Sequence, residues 1–287
     1  MTGADIPKLN KRSRLLRNFH KSFKPERQYI NALLRFAAAG KEGDFHTIAD
    51  EAGIPMGISS GKVPAILDYC QGMGLITLND LAPSSIKRPT LTPFGRVVFL
   101  EDPYLKTSIS QWIGHMNLCR PLYGADVWYH VFTRGASSLG ARFERASLDS
   151  YLDLIYGSTN RSKIGPLIGM YEDEAAFSRC GVISDSGGVV TRKTAPIQEE
   201  YAIGYGAWLL QLIDENMPET DQITTQDLEK YTGWSAITGW DNNQQQRALD
   251  LIESTGVCSI DRHMQPWLIQ AKSSPERAWR HIYDLLL

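Results

Sequence analysis

Proline and glycine cut the N-terminal part of this sequence into three helical segments followed by an apolar hairpin, and that order limits the fold more than any other feature. In PERQYINALLRFAAAG, the residues Tyr29, Ile30, Leu33, Leu34 and Ala37 recur at helical spacing, with Pro25 suited to a first turn and Gly40 to a stop. HTIADEAGI makes a second, short helix ended by Gly53 and Pro55. In SSGKVPAILDYCQGMG, Val63, Ile66, Leu67, Cys70 and Met73 share one helical face, and Pro64 requires this third helix to begin near Ser60. GLITLNDLAPSSIKRPTLTPFG then reads as two short strands around a turn, with Lys87 and Arg88 near its tip and Thr92 to Gly95 as the capped start of a further helix. Three helices and a two-stranded wing are the order of a winged helix.

The last 90 residues return to the same order: EEYAIGYGAWLLQLIDEN, TTQDLEKYTGW and DNNQQQRALDLIESTG as helices, VCSI and PWLIQA as strands, and a terminal helix. Residue identity barely repeats, so the similarity is one of architecture. Between the two ends, residues 101–180 read as helical and aromatic-rich, and SDSGGVVTRKTAP, residues 184–196, has the composition of a hairpin or linker. The expectation is a mainly α protein of the α+β class. It comprises a basic arm (1–27), an N-terminal winged helix (28–100), a central helical region (101–190) and a C-terminal winged-helix-like domain (191–287).

With 287 residues, 43% of them hydrophobic, the chain can bury a sizeable core. No run reaches the roughly 18 apolar residues of a membrane helix, and MTGADIPKLNKRSR is no signal peptide, so a cytoplasmic protein without a membrane partner is expected. Four cysteines stand far apart without a C-x-x-C pair, which speaks against a disulfide framework or a thiolate zinc site.

The formal net charge of −2 conceals a strong polarity. Residues 1–27 hold eight basic and two acidic residues, residues 28–197 balance sixteen of each sign, and residues 198–287 hold six basic and fourteen acidic. A +6 arm attracts polyanions because neutralised phosphates release condensed counterions; a solvated terminus is the plain alternative. The −8 of the last segment favours a protein-docking or dimerisation module there, and a homodimer is one expected assembly.

In the first winged helix the start of the third helix lies nearest the base edges. Ser59, Ser60 and Lys62 there, Arg12, Arg14, Arg17 and Lys21 on the arm, and Lys87 and Arg88 on the wing are the candidate contacts to double-stranded DNA. Met56 and Val63 stand where a phosphate-binding P-loop needs Gly and Ser or Thr, which excludes that motif. His115 and Cys119 at i, i+4 have ligand-like spacing but no third partner nearby in sequence, so core packing is favoured. Glu172, Asp173 and Glu174 could hold a divalent metal, or could be an acidic helix start, which is favoured. Asn242 to Arg247 could read adenine but read better as a polar face. No Ser or Cys triad is legible, and catalytic and metal-binding residues stay unassigned.

Phe19-His20-Lys21-Ser22-Phe23, Ile54-Pro55-x-Gly57-x-Ser59-Ser60-Gly61-Lys62-Val63 and Met73-Gly74-Leu75-Ile76 resemble the bacterial domain-of-unknown-function family numbered four thousand and seven. So do Leu91-Thr92-Pro93-Phe94-Gly95, Asp102-Pro103-Tyr104-Leu105 and Trp128-Tyr129-x-Val131-Phe132, and the match spans about residues 19–135. Members of that family are similar to the B component of the Ssp system, a DNA nickase in phosphorothioation and phage defence. The resemblance implies a metal-dependent endonuclease using Mg or Mn, with a cysteine desulfurase, an ATPase and an ATP pyrophosphatase as partners. The competing reading is a non-enzymatic winged-helix adaptor or transcription regulator.

Overall fold

The computed structural model describes residues 14–56, 61–78, 85–157, 164–218 and 220–286. Its first module runs α1 (Arg27–Ala38), α2 (Phe45–Ala52), α3 (Lys62–Gly72), β1 (Ile76–Leu78) and β2 (Pro89–Leu91). β1 and β2 pair antiparallel with Ile76 opposite Leu91 and Leu78 opposite Pro89, the order and pairing expected of a winged helix. Just before α2, Gly43 adds a one-residue bridge to Lys87, with N–H···O distances of 3.1 and 2.7 Å. The sheet order is therefore first, third, second.

After the hairpin come α4 (Pro93–Glu101), α5 (Ser108–Leu118) and α6 (Asp126–Trp128), which runs into a π-helical turn, Tyr129–Arg134, and then α7 (Ala136–Leu139). The centre then repeats the first module: β3 (Arg142–Glu144), α8 (Arg145–Tyr156), α9 (Gly165–Glu172), β4 (Ile183–Ser186) and β5 (Val189–Arg192), with sheet order β3-β5-β4. A third round follows: α10 (Ala202–Asn216), β6 (Gln222–Thr224), α11 (Thr225–Thr232), α12 (Trp234–Thr238), α13 (Asn242–Ser254), β7 (Cys258–Asp261), β8 (Leu268–Ala271) and the terminal α14 (Pro275–Trp279). Its sheet order, β6-β8-β7, is again first, third, second.

The α+β class holds, and the centre contains more than helices. Residues 184–196 include the hairpin β4–β5, turning on Gly187 and Gly188 at φ 63° and 86°, the left-handed pair a tight two-residue turn requires. β3 and β6 are three residues each, too short to show an alternation.

The three modules share one joint. Gly74, Gly181 and Gly256 precede the second strand of each sheet at φ 73°, 61° and 76°, a region closed to most side chains. The next residue in each, Leu75, Val182 and Val257, is buried and accepts a backbone hydrogen bond from Thr92, Lys193 and Lys272, at 3.1, 2.9 and 2.9 Å. The second helices match as well. Asp44, Glu144 and Thr224 sit at their N-caps, and four residues on, Ile48, Leu148 and Leu228 are fully buried.

The modules pack into one connected apolar core. Phe94 of α4 stacks on Trp279 of α14 with centroids 4.8 Å apart. Trp208 on α10 donates to Asn117 Oδ1 at 3.0 Å, and Arg120 pairs with Glu215. The motifs that carried the family resemblance are joints of this core. Thr92 caps α4 by accepting from Gly95 N at 2.8 Å and donates to the Gly74 carbonyl at 2.5 Å. A Cβ on Gly95 would stand 1.8 Å from the Leu75 carbonyl oxygen, so only glycine lets α4 lie on that strand. Buried Asp102 accepts from Lys106 N, Thr107 N, Thr107 Oγ1 and Ser110 Oγ at 2.6 to 3.0 Å, closing the turn between α4 and α5.

Candidate functional site

The arm is docked from Arg14 onward. Leu15 N donates to Gly124 O at 2.8 Å and its carbonyl accepts from Asp126 N at 3.0 Å. Phe19 and His20 are buried, and Phe19 lies against Tyr69 of α3 and Trp128 of α6, with centroids at 4.7 and 5.7 Å. A solvated terminus therefore does not describe these residues. Docking also consumes charge. Arg14 Nε pairs with Asp126 Oδ1 at 2.8 Å, its Nη1 donates to Pro121 O at 2.8 Å, and its guanidinium lies over the Tyr129 ring. Lys24 pairs with Asp173, which holds that carboxyl below its usual range.

The candidate residues fall into two groups. Lys21, at the end of the docked segment, reaches Gly61 at the head of α3: a Cβ there would lie 3.8 Å from the Lys21 Cδ. Lys87 on the hairpin is tied to the loop before α2 through the Gly43 bridge, and Arg88 beside it pairs with Glu42 while staying exposed. Lys21 and Lys87 both act on Asp68 in the middle of α3. Burial pushes that carboxyl up to about 6, and the two lysines pull against the rise. Arm, third helix and hairpin thus bring positive charge to one flank of α3. Lys62 is part of this group but is largely enclosed. Its ammonium sits over Tyr29 at 4.4 Å and Phe23 at 5.5 Å and pairs with Glu26 at 3.3 Å, with 18% of the side chain exposed. Ser59, Ser60 and Arg12 lie outside the described residues.

Arg14 and Arg17 belong to the second group, on the centre. Asp126 gathers it: Oδ1 takes Arg14 and faces His130 Nε2 at 3.7 Å, while Oδ2 accepts the Tyr156 hydroxyl at 2.6 Å. Burial disfavours the Asp126 anion, but Tyr156, Arg14 and His130 outweigh it and leave the carboxyl below its ordinary range. Arg17 lies over the Tyr156 ring at 5.3 Å. His130 is held below the usual histidine range, by burial first; Asp126 opposes this, while Arg14 and Arg134 add to it. Spacing could not expose this cluster, because Asp126 and Tyr156 meet only through the fold.

The other candidates resolve as structure. His115 and Cys119 are buried, and His115 Nδ1 shares a hydrogen bond with the Tyr171 hydroxyl at 2.6 Å, so core packing accounts for them. Glu172 to Glu174 are not a helix start: Glu172 ends α9 and Asp173 is its C-cap. Their partners are Arg145 for Glu172, Lys24 for Asp173, and Arg27 on the Glu174 carbonyl. On α13, Gln244 completes a capping box with Asp241 and Gln245 donates to Trp240 O, while Asn242, Asn243, Gln246 and Arg247 form the exposed polar face. Among the described residues no three His, Cys, Asp or Glu side chains come together as a metal cage, so no residue is assigned to an ion. Nor is any helix there long and apolar enough to cross a membrane.

No protein-family model matches the chain, so the numbered family has no support beyond the residues quoted for it. No curated protein matches it either. Two solved structures do. An SspB crystal structure is similar with a TM-score of 0.64 at 15% identity, covering 96% of this chain and 90% of the other. A magnesium ion-bound SspB crystal structure is similar with a TM-score of 0.62 at 15% identity, covering 94% and 88%. At that identity the likeness is one of fold, extends over nearly the whole of both chains, and makes this an SspB-like architecture.

Proposed function

We propose that the chain binds duplex DNA through its first module and nicks one strand as part of a DNA phosphorothioation and phage-defence system. The observation that carries the reading is the convergence of Lys21 and Lys87 on Asp68 of α3, with exposed Arg88 next to Lys87 on the hairpin and Lys62 fastening the arm to the head of that helix. Of the three equivalent helices, only α3 suits this role. α9, GPLIGMYE, carries no basic residue and ends on Glu172 and its C-cap Asp173. Around α13 the exposed Asp241 and the Arg262-paired Asp250 flank a single exposed Arg247, in a segment (198–287) of net charge −8 that disfavours phosphate.

The SspB-like fold supports the phosphorothioation setting, and the magnesium-bound neighbour supports testing divalent ions. A cysteine desulfurase, an ATPase and an ATP pyrophosphatase are the partners this reading implies. The acidic third module is the surface on which they, or a second copy, would dock.

Supercoiled plasmid incubated with the protein and Mg²⁺ or Mn²⁺ tests the proposal. Conversion to open circle, abolished by EDTA and reduced in Lys21→Gln/Lys87→Gln/Arg88→Gln, is the expected result. Retarded plasmid that stays supercoiled would favour the non-enzymatic adaptor instead.

A further inference from the structure

The second basic group, on the centre, is not used by a duplex seated on α3. It has three features that point to an anion. First, it is built on the π-helical turn Tyr129–Arg134, a rare backbone form that concentrates at functional sites. Second, its charge is unbalanced. Arg14 pairs with Asp126, Arg17 lies over Tyr156 and Arg134 acts on His130, while both Asp126 carboxyl oxygens are already engaged, by Arg14 and by Tyr156. Asp153 on α8 has a contact of its own. No carboxylate among the described residues forms an ion pair with Arg17 or Arg134, and Arg134 is exposed. Third, His130 is buried, and its Nδ1 has no hydrogen-bond partner among the described residues.

We infer that the docked arm and the π-helical turn form a second phosphate-binding ledge, in which Arg17 and Arg134 take backbone phosphates of the duplex held at α3. The inference rests on the DNA-binding reading above. Phe19, Tyr69 and Trp128 pack between the two basic groups, and the single docked segment from Arg17 to Lys21 joins them. A strand followed from the hairpin along the arm would pass from Lys87 and Lys21 to Arg17 and Arg134. Two guanidiniums added to a duplex footprint fix its register and direction without reading its bases. A phosphate there would also favour the imidazolium of His130. The groups now facing that ring are Asp126, Arg14 from the arm, Arg134 of its own turn, and Tyr129, Tyr151 and Tyr156.

The test compares salt dependence of binding to a duplex of about three helical turns for the wild type, Arg17→Gln/Arg134→Gln and Lys21→Gln/Lys87→Gln. Each phosphate contact contributes about 0.9 to the slope of log affinity against log salt. The ledge variant should therefore lose about 1.8 in slope, so that a fourfold rise in salt weakens it roughly twelvefold less than wild type. As a second readout, the His130 ring titration followed by NMR should move upward when the duplex is added. If wild type binds and the lysine variant weakens while the ledge variant keeps the full slope, or if the His130 titration stays in place, the ledge is refuted and the α3 reading survives. If wild type does not bind duplex, both fall together.

Discussion

His115 should make the protein acid-sensitive in a way that one substitution removes. The imidazole is fully enclosed between Trp112, Phe132 and Tyr171, and burial first, with Arg192 second, pushes its pKa down to about 3. Around the ring, Tyr171 Oη, which accepts from Trp128 Nε1 at 2.9 Å, lies 2.6 Å from Nδ1 and Cys119 Sγ lies 3.6 Å from Nε2, so no carboxylate among the described residues faces the imidazole to stabilise its charged form. A histidine whose folded pKa lies below its unfolded value of about 6.5 leaves stability fully present above 6.5 and withdraws it as pH falls toward 3. At pH 5 the loss is about 1.4 kcal/mol per pH unit over about 1.5 units, on the order of 2 kcal/mol. Asp68 works in the opposite sense, since its folded value near 6 exceeds the unfolded one and its penalty fades below pH 6, so the wild-type curve alone would mix the two. His115→Gln keeps an acceptor for Tyr171 and carries no titration. Urea unfolding followed by tryptophan fluorescence at pH 7.5 and 5.0 should show wild type losing about 2 kcal/mol more than the variant between the two conditions. Equal losses would refute the argument that His115 stays neutral in the fold.

Two further outcomes follow from the same geometry. Asp68→Asn should stabilise the protein at pH 7.5 by on the order of 2 kcal/mol, because it removes a carboxylate that burial disfavours, and under the DNA-binding proposal it should tighten duplex binding by removing a negative charge beside Lys21 and Lys87. Unfolding midpoints and fluorescence anisotropy measure both, and weaker binding would contradict the placement of the lysines. Gly95→Ala should cost more than about 3 kcal/mol, because the Leu75 carbonyl cannot yield to a Cβ 1.8 Å away. A midpoint within error of wild type would show that α4 does not lean on that strand.

Much of this architecture was legible in the order of helix stops and apolar runs, and what escaped has physical reasons. The helices of the first and third modules show through because Leu33, Leu34, Ile66 and Leu67, or Ala248, Leu249 and Ile252, recur on one buried face. The middle module escapes because its third helix is only eight residues long, GPLIGMYE, with apolar residues that show no helical periodicity, and because its first strand has three residues. The signal that would have exposed it is the three-residue step GLI, GVI and GVC, a left-handed glycine followed by two buried apolar residues, present once per module. The arm misled for a different reason. Its charges suggested solvent exposure, but Phe19 and His20 between them are what the core binds, and Arg14 and Lys24 follow them onto Asp126 and Asp173.

That docking changes what the overall charge polarity means. A free arm would search for phosphate anywhere on the duplex, whereas a docked one presents its remaining charge at fixed points, Lys21 beside α3 and Arg17 beside the π-helical turn. Three copies of one topology have also diverged through the charge around their third helix: basic at α3, without basic residues along α9, amide-rich and acidic at α13. The first and last copies meet directly through Phe94 of α4 on Trp279 of α14, so all three share one core, and the proposal above sets the polyanion on the first and a protein partner on the third.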